Sequence, residues 1–290
     1  MFQIIGIVVL FAMVFGSYLL AGGNMGVILH ALPHEMMAIG GSGVAAFLIS
    51  NKVSTMKGVL SGFGRIFGGP KWKASDYRDL LTLLFLLTKT MKSKGVIALE
   101  SHIENPHDSS IFNRVPKIMK DHFAIDFICD TLRMMTMNLE DPHQVEDAME
   151  KQLEKHHHEA LMPPHALQNL ADALPALGIV AAVLGVIKTM GAITEPPEVL
   201  GGMIGGALVG TFLGVFLAYG LVGPMATRLK EVVDEDGQFY KIIQSVLVAH
   251  LHGNAAQISV EIGRGGVPSP AQPSFTELED ALNNIPAEAA

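Results

Sequence analysis

Charge is scarce in this sequence and cysteine is nearly absent. Only 17% of its residues are Asp, Glu, Lys or Arg while 49% are apolar, a balance richer in apolar side chains than an ordinary soluble domain of 290 residues uses. No segment holds the excess of Lys and Arg that phosphate binding needs, and the net charge is -8, so nucleic acid is excluded as a partner and acidic substrates with it. One cysteine, Cys129, excludes an intrachain disulfide and a Cys-based zinc site; it reads as a buried bystander. No nucleophile elbow, phosphate-binding loop, HExxH pair or dinucleotide fingerprint occurs, so no enzyme is read from the chain. His156, His157 and His158, with His165 nearby, occupy helical positions pointing in different directions. They read as a solvated face, and neither a metal nor a cofactor is expected.

In place of charge stand long apolar runs. A spanning helix needs about 20 mostly apolar residues, and four candidates occur, at about residues 4–21, 35–49, 170–193 and 199–226. The second is the shortest and is rich in Gly and Ala. The first lacks both the basic stretch and the Ala-x-Ala site of a cleaved leader, and reads as a span. Of the 20 Lys and Arg, 15 lie between Lys52 and Lys155 and four follow the last run (Arg228, Lys230, Lys241, Arg264), while residues 22–34 and 194–198 hold none. Both termini and the middle segment are therefore expected in the cytoplasm. Lys188, near the outer end of the third run, can snorkel to the interface.

The fold class expected is an all-α integral membrane protein: four transmembrane helices, a large helical cytoplasmic loop and a cytoplasmic C-terminal tail. The expected division is a first transmembrane hairpin over 1–50, a cytoplasmic helical domain over 51–168, a second, channel-lining hairpin over 169–227, and a C-terminal helix and tail over 228–290. Within the loop, residues 75–91 open with Ser75 as N-cap and carry Leu80, Leu83, Leu84 and Leu87 at helical spacing, the pattern of a buried amphipathic helix. A charged helix follows Asp141-Pro142. Residues 228–250 continue the fourth run as a helix, 263–273 read as a flexible Gly/Pro stretch, and 274–284 as a last short helix.

The fourth run carries Gly202, Gly206, Gly210 and Gly214 at a spacing of four, and the third has a small face with Gly178, Ala181, Ala182 and Gly185. Such faces let helices approach closely, either within the chain or around another subunit's helix. Proton or ion pathways through lipid use an ionisable side chain near the midplane, and none is read there: Asp172 and Lys188 fall toward the ends of the third run, and Glu35 at the outer end of the second. A titrating carboxylate is thus expected from a partner. Thr211, level with Ala182, is the polar candidate at mid-depth, bonded to its own backbone or lining a pore. Pro175 and Pro224 mark the inner ends of the third and fourth runs, and each frees a carbonyl and permits a bend.

Several strings together resemble the MotA family, relatives of the ExbB and TolQ energisers. LESHIENPHDSSIF from Leu99 resembles that family's cytoplasmic signature, LPALGIVAAVLGVI from Leu174 and VGTFLGVFLAYGLVGP from Val209 are similar to its third and fourth helices, and YLLAGGNMGVI from Tyr18, VEIGRG and PSFTELED fit in order. The resemblance implies a stator subunit of the flagellar motor in the bacterial inner membrane. Five copies would ring two copies of MotB, whose single spanning helix brings the proton-accepting Asp, and ion flow would drive the rotor protein FliG. It implies rotor-facing charges at Lys92 and Glu100, although Lys92 stands where the family's best-studied members have Arg and so loses the bidentate fork. It implies functional prolines at Pro175 and Pro224, a channel-facing threonine at Thr211, channel lining at Ala182, and packing of the partner helix along Gly178, Gly202, Gly206, Gly210 and Gly214. Sodium-driven relatives place Thr at the position of Ala182, so a proton-driven motor is implied. The alternative, an energiser of the ExbB or TolQ type, implies three spans and an outside N-terminus, against four spans with both ends inside.

Overall fold

The computed structural model describes residues 2–137 and 141–284. Among them every regular element is a helix, and the chain divides into two compact units, Met1–Gly69 with Ala160–Val232 and Pro70–Glu159 with Val233–Ala290. The tail beyond Asn284, part of the expected C-terminal region, lies outside the described residues.

The first unit holds the apolar helices. Helix α1, Phe2–Leu20, ends in a turn where Gly22 takes a φ of +79°, a conformation that glycine adopts at little cost. At Gly23 a β-carbon would sit 2.5 Å from the Tyr18 ring. Asn24 then caps α2, Met25–Glu35, its side chain accepting from the Gly26 N–H at 2.8 Å. A π-helical stretch, Met36–Gly40, joins α2 to α3, Gly41–Ser50, so one helical span runs over Met25–Ser50. This corrects the expected second span, which began at Glu35. Pro33, His34 and Glu35 read as a polar boundary in the sequence, but the helix is nucleated at the Asn24 cap and carries Pro33 in its interior, as spanning helices tolerate.

Helix α4, Val53–Gly68, is amphipathic, burying Val59, Gly62 and Ile66 with Ala166, Leu167, Ala226 and Leu229. Glycine is required there, because β-carbons at Gly58 and Gly62 would lie 2.5 Å from Pro163 Cγ and 2.7 Å from Leu229 Cδ2.

The second unit packs around α5, Ala74–Lys94. Leu80, Leu83, Leu84 and Leu87 are at most 1% exposed, as their spacing predicts. The cap differs: the Asp76 carboxylate accepts the Lys73 N–H at 2.7 Å, which starts the helix before Ser75. After the short α6, Glu100–Glu104, comes α7, His122–Thr136, where Cys129 is buried and burial pushes its thiol up to about 12. Helix α8 is one element, Pro142–Gly191; in the sequence its charged and apolar halves read as two. Helix α9, Pro197–Val215, passes through a π-helical segment, Phe216–Val222, into α10, Gly223–Leu251. Helix α11, Ala256–Gly265, takes the start of the stretch expected to be flexible, because Gly263 lets it approach Val246, whose Cγ2 lies 2.3 Å from where a β-carbon would be. Arg264 orders the rest, donating to the Pro273 carbonyl at 3.1 Å. Ser274 caps α12, Phe275–Asn283.

An aromatic cluster encloses Asp121 in this unit. Trp72 stacks on Phe239 at 3.8 Å and His156 on Phe123 at 3.6 Å. His156 is therefore packed, against the expectation of a solvated face, while His158 is exposed. Asp121 accepts the Ala124 N–H at 2.8 Å, the Tyr240 hydroxyl at 2.9 Å and the Lys71 ammonium. Burial raises its carboxyl, but the bonds from Lys71, Ala124 and Tyr240 outweigh that and hold it below the usual carboxylate range. A depressed pKa contributes stability that is present above the unfolded value of 3.8 and is lost as pH falls through the folded value. Asp121→Ala is expected to destabilise the second unit by about 1–3 kcal/mol, because it strands the buried Tyr240 hydroxyl and Ala124 N–H. Thermal unfolding of the detergent-solubilised chain, followed by Trp72, the single tryptophan, checks this. The wild type should lose stability as pH falls below about 4, and the variant should lack that component.

Candidate functional site

The apolar helices of the first unit meet at glycine. A β-carbon at Gly178 would lie 2.8 Å from the Gly210 carbonyl oxygen and 3.1 Å from Gly214 Cα; one at Gly214 would lie 2.6 Å from the Leu174 carbonyl oxygen. Gly185 likewise approaches Ala207 to 2.7 Å. Small residues therefore set backbone-to-backbone contact between α8 and α9. Of the five glycines assigned to a partner helix, Gly178, Gly210 and Gly214 pack within the chain and Gly206 faces Ala31 at 3.8 Å. Only Gly202 has nothing within 4 Å.

Glu35 lies at the same place. A β-carbon on Gly210 would be 2.5 Å from Glu35 Oε2 and 3.3 Å from the Ala182 backbone nitrogen, so α2, α8 and α9 converge on one carboxyl. Glu35 is the eleventh residue of its span, about 15 Å along the axis, which is half of a hydrocarbon core of about 30 Å. Ala182, nine residues before the end of α8 at Gly191, falls at a matching depth. The expectation that Glu35 lies at the outer end of its span is thus corrected. Oε2 is buried and, among the described residues, lacks a hydrogen-bond partner, a costly state for a polar atom. The signal in the sequence was Asn24, the cap that sets the span in register and moves Glu35 inward.

Thr211 follows Gly210 and is half-buried. The hydroxyls of Thr88, Thr90, Thr131 and Thr189 donate to carbonyls four residues back; among the described residues the Thr211 hydroxyl makes no such bond.

Pro175 lies inside α8, and Pro224 is the second residue of α10, directly after the π-helical segment. Proline at 224 offers no N–H to the Gly220 carbonyl, and a local π register is one way a helix absorbs that loss. Cavities of about 440 and 350 Å³ adjoin Pro224, the first against Gln168 and Thr227, the second against Leu10 and Phe67.

Lys92 and Glu100 belong to the second unit and are not brought to the helix cluster. Both are exposed. Lys92 donates to the Gly253 carbonyl at 3.2 Å, which fixes its ammonium at the end of α5, and Glu100 opens α6.

Comparison with known proteins places this chain. The N-terminal domain described as motility protein A N-terminal matches residues 4–95, and the profile described as MotA/TolQ/ExbB proton channel family matches residues 120–241. Motility protein A of Escherichia coli (strain K12) is 38% identical over 98% of this chain and 96% of its own length. Chemotaxis protein LafT of Vibrio parahaemolyticus is 34% identical over 97% and 98%. The fold matches C. jejuni MotAB with a TM-score of 0.64 at 18% identity, covering 98% of this chain and 96% of that one. It matches the flagellar MotAB stator complex from Bacillus subtilis with a TM-score of 0.65 at 22% identity, covering 89% and 92%.

Proposed function

This chain belongs to the MotA/TolQ/ExbB proton channel family, and from that premise we infer how a stator subunit of the flagellar motor is built from these helices. It is a multi-pass inner-membrane protein with four helices long and apolar enough to span, and its family is one of channels and motility proteins, not an enzyme class. Both termini, the loop and the tail face the cytoplasm, following the Lys and Arg asymmetry. We propose hairpins 1–50 and 169–227 in the membrane, with 51–168 and 228–290 as the cytoplasmic parts; the compact units join 51–69, 160–168 and 228–232 to the hairpins.

The chain assembles with MotB as an oligomer, five copies around two MotB helices, embedded in lipid. MotB supplies the aspartate that accepts protons. Close backbone contact between α8 and α9 at Gly178, Gly210 and Gly214 is the observation that carries this reading, because it makes a rigid wall presenting Ala182, Thr211 and the open Gly202 to a neighbouring helix. Ala182 offers a methyl and no hydroxyl to replace a sodium ion's hydration shell, so the ion is the proton. Proton passage bends the inner halves at Pro175 and Pro224, and Lys92 and Glu100 transmit the movement to charged residues of FliG.

Complementation tests it. Cells lacking their own stator subunit and given this chain with its MotB should swim in sodium-free medium at constant proton-motive force. Glu100→Lys should lower swimming speed by about tenfold with insertion and MotB co-purification unchanged, as reversal of an interface charge costs several kcal/mol. A second change reversing the facing charge on FliG should restore it. Wild-type cells that stop when sodium is withdrawn would remove the proton assignment. Intact swimming of Glu100→Lys would remove the rotor contact.

A further inference from the structure

We propose that Glu35 is a proton-carrying carboxylate of the conduction path, supplied by this chain in addition to the aspartate of its partner. The proposal rests on the channel reading above, and on four observations independent of it.

The first is depth. Glu35 stands about 15 Å inside its span, where a carboxyl is expensive and persists for a reason. Second, Oε2 is buried with no hydrogen-bond partner among the described residues; a carboxyl held for helix packing alone would have both oxygens satisfied. Third, the site is shaped for it. Gly210 leaves the space, since a β-carbon there would come within 2.5 Å of Oε2, and the same glycine brings Glu35 level with Ala182. Fourth, the backbone beside it is irregular: Pro33 lies two residues before and the π-helical turn Met36–Gly40 begins directly after, an arrangement common where a helix does chemistry.

The titratable neighbours are few. His34 adjoins Glu35, and His30 lies one turn nearer the end of the span at Met25, both exposed. The helices packed on Glu35 bring none: residues 199–215 and 173–187 contain no Asp, Glu, Lys, Arg or His. A proton entering from the Met25 side thus meets His30, His34 and then Glu35. It adds to one carboxylate oxygen of Glu35, and that O–H bond breaks when the proton moves to the partner's carboxylate or to water leading to it. No electron changes hands.

The test is the co-purified complex with MotB in proteoliposomes under an imposed membrane potential, with internal pH as the readout, alongside swimming speed in complemented cells. Glu35→Gln keeps the shape and removes the titration; it should lower flux and speed by about tenfold or more. Glu35→Asp should retain intermediate flux. Wild-type flux should show a titration step with external pH that Glu35→Gln lacks. Infrared difference spectra of the purified complex should show a pH-dependent carboxylic C=O band that Glu35→Gln removes. Wild-type flux and pH profile in Glu35→Gln would overturn the proposal. So would loss of MotB co-purification in Glu35→Gln together with full flux in Glu35→Asp and no infrared band, which marks a packing role. Should the wild type conduct protons yet drive no rotation, the stator reading fails while the flux of the Glu35 variants still decides this one.

Discussion

Gly214→Ala is expected to destabilise the chain by about 3 kcal/mol and to bring complementation to background. A β-carbon at 214 meets the Leu174 carbonyl oxygen at 2.6 Å, Gly178 Cα at 2.9 Å and Gly178 N at 3.2 Å. All three are backbone, so no side chain can swing aside. The helices must part, and a helix pair in lipid is held by close packing with little hydrophobic drive to compensate. Gly202→Ala is the matched control, because it adds the same methyl on the same face where nothing lies within 4 Å. Its effect on the folded chain should fall within about 0.5 kcal/mol. Gly202→Leu should leave the chain folded and reduce MotB co-purification, since the open end of the stripe is the part left for another subunit. Gel-filtration profiles and thermal aggregation of the two alanine variants decide the matter. Equal stability would mean that the α8 and α9 contact is not close.

The same stripe shows how much of the site was legible in the sequence. Spacing of four places Gly202, Gly206, Gly210 and Gly214 on one face, and nothing in that spacing tells which neighbour each glycine meets. Three-dimensional contact assigns Gly210 and Gly214 to the chain itself and leaves Gly202 open. Pro175 and Pro224 were legible as prolines at the inner ends of the third and fourth runs, whereas the π-helical turn before Pro224 was not, because hydropathy is indifferent to hydrogen-bond register. Glu35 was misplaced for a definite reason. A rule that reads a span as a charge-free run ends it at the first charged residue, yet Asn24 supplies the cap and the helix passes through both Pro33 and Glu35. The rule therefore fails where a span carries an ionisable side chain in its interior, as Glu35 is carried here. In the second unit the leucine spacing of α5 was sufficient to name its core, but the Asp121 cluster joins residues as distant as Lys71 and Tyr240, which no local pattern connects.

Pro224→Ala should leave the chain inserted, folded and bound to MotB, and should cut swimming speed by about fivefold or more. Alanine supplies the N–H that proline withholds from the Gly220 carbonyl, a bond of about 1 kcal/mol, and a change of that size shifts a two-state helix by about fivefold. The direction is toward the straight α-register, which the seven residues Phe216–Val222 now forgo. Pockets beside Gln168 and beside Leu10 adjoin Pro224, so bending there meets no filled core. If the motor works by moving the cytoplasmic ends of these helices as protons pass, a segment biased to one register conducts but turns poorly. Proton flux close to wild type with slow rotation is therefore the expected signature of Pro224→Ala. Flux and speed falling together would instead place Pro224 in the ion path, and unchanged speed would leave the π-helical turn without a mechanical role.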